Sequence, residues 1–103
     1  MVFIESAVFT AQVLDLLSDE AYAALQIYLA SAPTAGDVIR GTGGLRKVRW
    51  AIPGKGKRGG VRVVYYFVSA RGQCRMLLIY RKGIKDDLSE DEKKALRRLN
   101  EHW

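Results

Sequence analysis

Apolar and polar positions along the chain divide it into seven predicted elements. Val2, Phe3 and Ile4 form a short apolar run suited to a buried strand. Val8, Phe9, Val13, Leu14 and Leu17 recur at spacings that predict a short helix over 7–17. Ser18-Asp19-Glu20 then starts a second helix, with a capping hydroxyl and acids where the helix dipole favours them. Tyr22, Leu25 and Leu29 line one face of it, Ala21, Ala24 and Tyr28 lie beside them, and Pro33 ends it. The two helices are expected to form a hairpin. Residues 34–44 (TAGDVIRGTGG) are a loop rich in turn residues. From Leu45 to Ile52 the pattern alternates, predicting a strand with Val48 and Trp50 inward and Lys47 and Arg49 outward. Residues 53–60 (PGKGKRGG) form a hairpin loop, and 61–68 (VRVVYYFV) suit a central strand, apolar on both faces after Arg62. A turn at Ala70-Arg71-Gly72 precedes a strand over 75–80 (RMLLIY), with Met76, Leu78 and Tyr80 on one face and Lys82 just beyond. Ser89 and Glu92 have the spacing of a capping box, and Leu88, Ala95, Leu96, Leu99 and Trp103 repeat at helical spacing after it. The predicted order is β-α-α-β-β-β-α: an α+β domain with a mainly antiparallel sheet and helices packed on one face.

Composition narrows the class. A chain of 103 residues, 49% apolar, predicts one domain over 1–103 with a modest core. No apolar run approaches the roughly 20 residues of a spanning helix. Met1-Val-Phe-Ile-Glu5 lacks the basic start and long apolar stretch of a signal peptide, so a cytoplasmic protein is expected. Cys74 is the single cysteine and His102 the single histidine, which leaves no disulfide framework and no Cys/His metal set. Catalysis, if present, falls to Lys, Arg and Tyr, and no cofactor is expected.

Charge changes the picture more. The net charge of +6 hides a partition. Residues 1–37 hold five acids and no Lys or Arg; residues 38–85 hold thirteen Lys and Arg and no acid; residues 86–103 hold four basic and six acidic residues. Thirteen cations without an acid on three strands and their loops predict a concentrated positive surface, for which a polyanion is the natural partner. Trp50, Tyr65, Tyr66 and Tyr80 lie among them, and aromatic faces stack on unpaired bases. A solvated basic face is the plainer reading, but solubility does not require excluding every acid over 48 residues. The glycines of 54–60 and 41–44 fit neither a Walker loop nor a dinucleotide fingerprint, and are read as turn residues.

The runs GTGGLRKVRW (41–50), GKGKRGGVRVVYYF (54–67), LIYRK (78–82) and DLSEDE (87–92) resemble HigB-type toxins of the RelE/ParE superfamily. The resemblance spans essentially the whole chain and implies a small RelE-like domain. It also implies a bacterial, cytoplasmic toxin that enters the ribosomal A site and cuts messenger RNA. Its partner would be a HigA-like helix-turn-helix antitoxin, through which it would meet operator DNA. No membrane partner is implied.

The residue chemistry agrees with that implication. RNA carries its own nucleophile, the 2′-OH beside the scissile phosphate. Cleavage then needs a base for that hydroxyl, stabilisation of the phosphorane charge and help for the departing 5′ oxygen, and in-line positioning contributes further. The resemblance carries over to Lys47 and Arg49 on the strand before the hairpin, Lys57 and Arg58 in the loop, Arg62 at the start of the central strand, and Lys82 after the last. The expected roles are Lys57 or Lys47 as base, Arg62 on the developing charge, and Arg49 and Lys82 on flanking phosphates. RNA contacts are expected from Arg46, Lys55, Arg58, Tyr66, Tyr80 and Lys85. Tyr65 and Tyr66 point to opposite faces of one strand, so at least one belongs to the core. Trp50 suits core better than a base platform, and Arg71 and Arg75 fall at the far hairpin end. Some RelE-type enzymes carry a tyrosine after the last strand; residues 84–88 (IKDDL) hold none, and Lys85 is the candidate replacement. Competing readings are a ParE-like gyrase poison, a non-catalytic nucleic-acid-binding module, and a degenerate toxin that keeps only its antitoxin. The acidic helices are expected to serve as scaffold and as a possible antitoxin-facing surface.

Overall fold

A strand that is apolar on both faces must be covered twice, and β4 (Val61–Val68) is the strand around which this chain is built. The computed structural model describes residues 1–52, 60–83 and 87–103. The elements before β4 are β1 (Val2–Glu5), α1 (Ala7–Leu16), α2 (Asp19–Ser31), β2 (Asp37–Val38) and β3 (Arg46–Trp50). After it come a 3-10 turn (Ser69–Arg71), β5 (Gln73–Arg81) and α3 (Glu90–Glu101). The sheet order is β1-β5-β4-β3-β2. Only β1 runs parallel to its neighbour; the other pairings are antiparallel. This is the expected α+β class, with one short strand, β2, added at the edge.

The expectation that the helices share one face of the sheet does not hold. The α1/α2 hairpin covers one face, burying Phe9, Val13, Leu25 and Leu29 against Val48, Val61, Val63, Tyr65 and Met76. α3 and its lead-in cover the other face, packing Leu88 and Leu96 on Leu45, Val64, Leu77 and Tyr80. The reason is β4 itself: Val63 and Tyr65 alternate with Val64 and Tyr66, and both apolar sets need cover. β1 also differs from expectation. It is an edge strand with Val2 exposed, not a buried one.

A bulge corrects a second expectation. Between Val64 and Tyr65 the partner residue on β5 jumps from Leu78 to Met76, leaving Leu77 as the extra residue. Met76 therefore joins the α1/α2 side and Tyr80 the α3 side, although simple alternation puts them together.

Local chemistry fixes the helix ends. Ser18 caps α2 by accepting from the Ala21 N–H. Ser89 and Glu92 complete the predicted capping box on α3. Ser6, buried, caps α1 by accepting from the Phe9 N–H at 3.0 Å and donates to the Leu77 carbonyl at 2.8 Å. It ties the start of α1 to the bulge. Tyr65, fully buried, donates from its hydroxyl to the Pro33 carbonyl (2.8 Å) and accepts from the Gly36 N–H (2.9 Å). A Cβ on Gly36 would meet that ring and hydroxyl at 2.9 Å, so glycine is what lets the loop after α2 lie against it. Burial pushes the Cys74 thiol up to about 12.

Two outcomes follow from this packing. Ser6→Ala removes a cap and leaves the Leu77 carbonyl without its hydroxyl partner; we expect a loss of about 1–2 kcal/mol in urea unfolding. Cys74 is expected to resist iodoacetamide at pH near 8 in the folded protein and to react once urea unfolds it.

Candidate nucleic-acid interface

The register of β3 on β4 decides which cations meet. Lys47 pairs with Val64 and Arg49 with Arg62, so Lys47, Arg49 and Arg62 share the sheet face that α3 covers farther along. On the other side of β4, Arg62 pairs with Tyr80 of β5. Lys82 follows Tyr80 by two residues, and strand alternation returns it to the same face. Its backbone N–H donates to the Gly60 carbonyl at 3.1 Å, which closes the strand pair at this end. Four candidate catalytic residues are thus brought together: Lys47, Arg49, Arg62 and Lys82. Lys55, Lys57, Arg58 and Lys85 lie outside the described residues.

Arg62 is the unusual member. It is only 9% exposed, yet no carboxylate among the described residues pairs with it. Its cross-strand neighbour Arg49 carries the same charge. Like charges directly opposite on two strands are destabilising, and a mostly buried unpaired charge is more so. An anion bound between them would relieve both costs.

Lys47 differs. Its Nζ donates to Asp87 Oδ1 at 2.9 Å. That hydrogen bond, with the nearby positive charge, holds the exposed Asp87 carboxyl below its ordinary value. Asp87 has no role in the sequence reading. It lies 40 residues from Lys47, and the only signal for it is its place just before the α3 capping box. Beside the pair, Asp37, Arg40, Asp87 and Lys93 line a cleft of about 450 Å³.

Three expected contacts are placed elsewhere. Arg46 points to the α1/α2 side, where its Nη1 donates to the carbonyls of Gly36 (2.8 Å) and Thr34 (3.3 Å). It clamps the loop after α2 instead of facing RNA. Tyr80 is buried in the α3-side cluster, with no ring face open to a base. Tyr66 lies on the Arg62 face but four residues along β4, under the Arg75 guanidinium at 5.7 Å. Arg75 in turn bonds Asn100 and Gln73, as a structural tie at the far end, away from Arg62 as expected. Trp50 packs 5.4 Å from Tyr28 on the α1/α2 side, in keeping with the core reading. The face that remains is cationic, with no imidazole. It can bind phosphate and stabilise negative charge on it.

No protein-family model matches the chain. The crystal structure of the isolated E. coli RelE toxin matches 95% of this chain and 97% of its own, with a TM-score of 0.57 and 16% sequence identity. The chain has the RelE fold. Among the described residues, no helix of this RelE-like chain is long and apolar enough to cross a membrane.

The Lys47–Asp87 pair generates a pH prediction. A carboxyl held low in the folded state contributes stability above its unfolded value and loses it as pH falls through the folded one. Asp87→Asn should therefore be slightly less stable than the parent protein in unfolding free energy near neutral pH. The difference should vanish on acidification through the carboxylate range and shrink in molar salt.

Proposed function

We propose that this chain is the toxin of a bacterial type II toxin–antitoxin system, of HigB type within the RelE/ParE superfamily. It acts in the cytoplasm, as a single domain, by cutting messenger RNA in the ribosomal A site. One observation supports this reading above the others. The RelE fold presents Arg62, mostly buried and with no acid partner among the described residues, directly opposite Arg49. A structural face has no use for that arrangement, whereas a phosphate site does.

In this reading the 2′-OH of the messenger gives its proton to the base and attacks the adjacent phosphorus in line. The bond from phosphorus to the 5′ oxygen breaks, leaving a 2′,3′-cyclic phosphate and a 5′ oxygen that takes up a proton as it departs, and no metal is needed to supply the nucleophile. Arg62 stabilises the charge that develops on the phosphoryl oxygens. Arg49 and Lys82 hold flanking phosphates. Arg stays protonated, which suits it to clamping phosphate and not to taking a proton. Lys47, whose Nζ is already engaged with Asp87, fits phosphate binding better than proton abstraction. Lys57 is then the proposed base, with Lys55, Arg58 and Lys85 as further RNA contacts. The partner is a HigA-like helix-turn-helix antitoxin, which also links the toxin to operator DNA.

Primer extension on transcripts being translated is the test. We expect cuts inside codons with the parent protein. Arg62→Ala should lower cleavage by about 10²–10³-fold, the usual cost of removing a charge-stabilising donor, with the fold kept. Arg62→Lys should recover little of it, because an ammonium cannot make the paired contacts of a guanidinium. Lys57→Ala should also abolish toxicity. Intact transcripts with stalled DNA replication would favour a gyrase poison, and full cleavage by both alanine variants would overturn the site.

A further inference from the structure

The surface opposite the cationic face carries a second feature. The C-terminal end of α1, the start of α2 and the end of β3 enclose a groove of about 740 Å³. Its lining is mainly apolar and includes Leu14, Ala24, Trp50 and Ile52. Leu14 is 74% exposed, although it belongs to a helix whose Phe9 and Val13 are buried. Together with Trp50 and Ile52 it makes the groove a contiguous apolar patch, and such a patch marks an interaction surface.

Charge identifies what covers it. Asp15 from α1 and Glu20 from α2 line the same groove. No Lys or Arg occurs anywhere in residues 1–37, in a protein whose net charge is +6. A basic segment is repelled by most of this molecule and attracted here; an acidic one is drawn to the opposite face. The apolar centre with acids from both helices matches an amphipathic helix whose apolar ridge is flanked by Lys and Arg.

We propose that this groove docks such a basic amphipathic helix from a second protein. Ala24 keeps the α2 wall low, so that the helix can approach closely, and Leu14, Trp50 and Ile52 receive its apolar ridge. The docked helix would touch Trp50, the residue next to Arg49. The inference concerns a surface and does not depend on RNA cleavage.

The probe is a peptide of about four helical turns, with Leu at i, i+3, i+4 and i+7 and Lys and Arg flanking them. Its control carries Glu at every basic position. Binding is read by Trp50 fluorescence in a Trp103→Phe background and by amide chemical shifts. We expect saturable binding of the basic peptide alone, with shifts at Leu14, Ala24 and Ile52. Asp15→Lys with Glu20→Lys should weaken it by about 10-fold or more, and should transfer binding to the acidic control. Leu14→Gln should also weaken binding about 10-fold, with a melting curve close to the parent's, because the side chain is already in water and glutamine keeps both the helix propensity and the charge of the groove. The inference is overturned if neither peptide binds or both bind equally. It is also overturned if the shifts fall on the Arg49–Arg62 face, or if sedimentation shows the groove filled by a second copy of this chain. Messenger cleavage, measured separately, can fail or succeed without altering any of these readings.

Discussion

Cover on both faces of β4 is the constraint on which the rest depends. The α1/α2 hairpin takes one face and α3 takes the other. Charged side chains on the inner strands are thereby driven to whatever length of face the helices leave open. On the α3 side that length begins where the buried cluster gives way to Arg62. Strand register then recruits Arg49 from β3, with Lys47 about 7 Å along the same strand. Lys82 joins from the end of β5. The density of positive charge is a result of how the core closes, and not only of how many cations the chain contains.

Much of this was legible along the chain, for physical reasons that differ between elements. The starts of α2 and α3 were legible because capping is local chemistry, settled within four residues. β4 was legible because seven of its eight residues, all but Arg62, are β-branched or aromatic, a run that suits little else. The outward placement of Lys47 and Arg49 followed from alternation. Alternation failed on β5, because an inserted residue changes the face of everything after it and leaves no mark in composition. The side taken by α3 was hidden for a related reason. An amphipathic pattern shows that a helix has an apolar face, not which side of a sheet receives it. Arg46 was misread because its partners are carbonyls of a loop, Thr34 and Gly36, and backbone acceptors carry no sequence signature. Asp87 was missed because only the tertiary fold brings it to Lys47.

The two surfaces of opposite sign are not independent. Arg49 and Trp50 are neighbours in sequence, and the pleat of β3 sends one to each side. The cationic face and the acid-lined groove therefore share a strand. A force on one has a short mechanical route to the other, through a strand that β2 backs only at Arg46 and Lys47.

The parallel pairing of β1 with β5 has a consequence for the order in which the molecule assembles. Ser6 meets the Leu77 carbonyl across 71 residues of chain, and Val2–Glu5 match Gln73–Met76 in register. Strands that close such a span lose more chain entropy than a hairpin does, and they gain nothing until both ends are present. At about 5–20 residues per second, the first strand waits on the order of ten seconds for its partner to be synthesised. Phe9 and Val13 cannot be sealed against Cys74, Met76 and Ile79 before then. Folding is consequently late and concerted: the amino-terminal quarter of the chain is made first and is among the last parts to be secured.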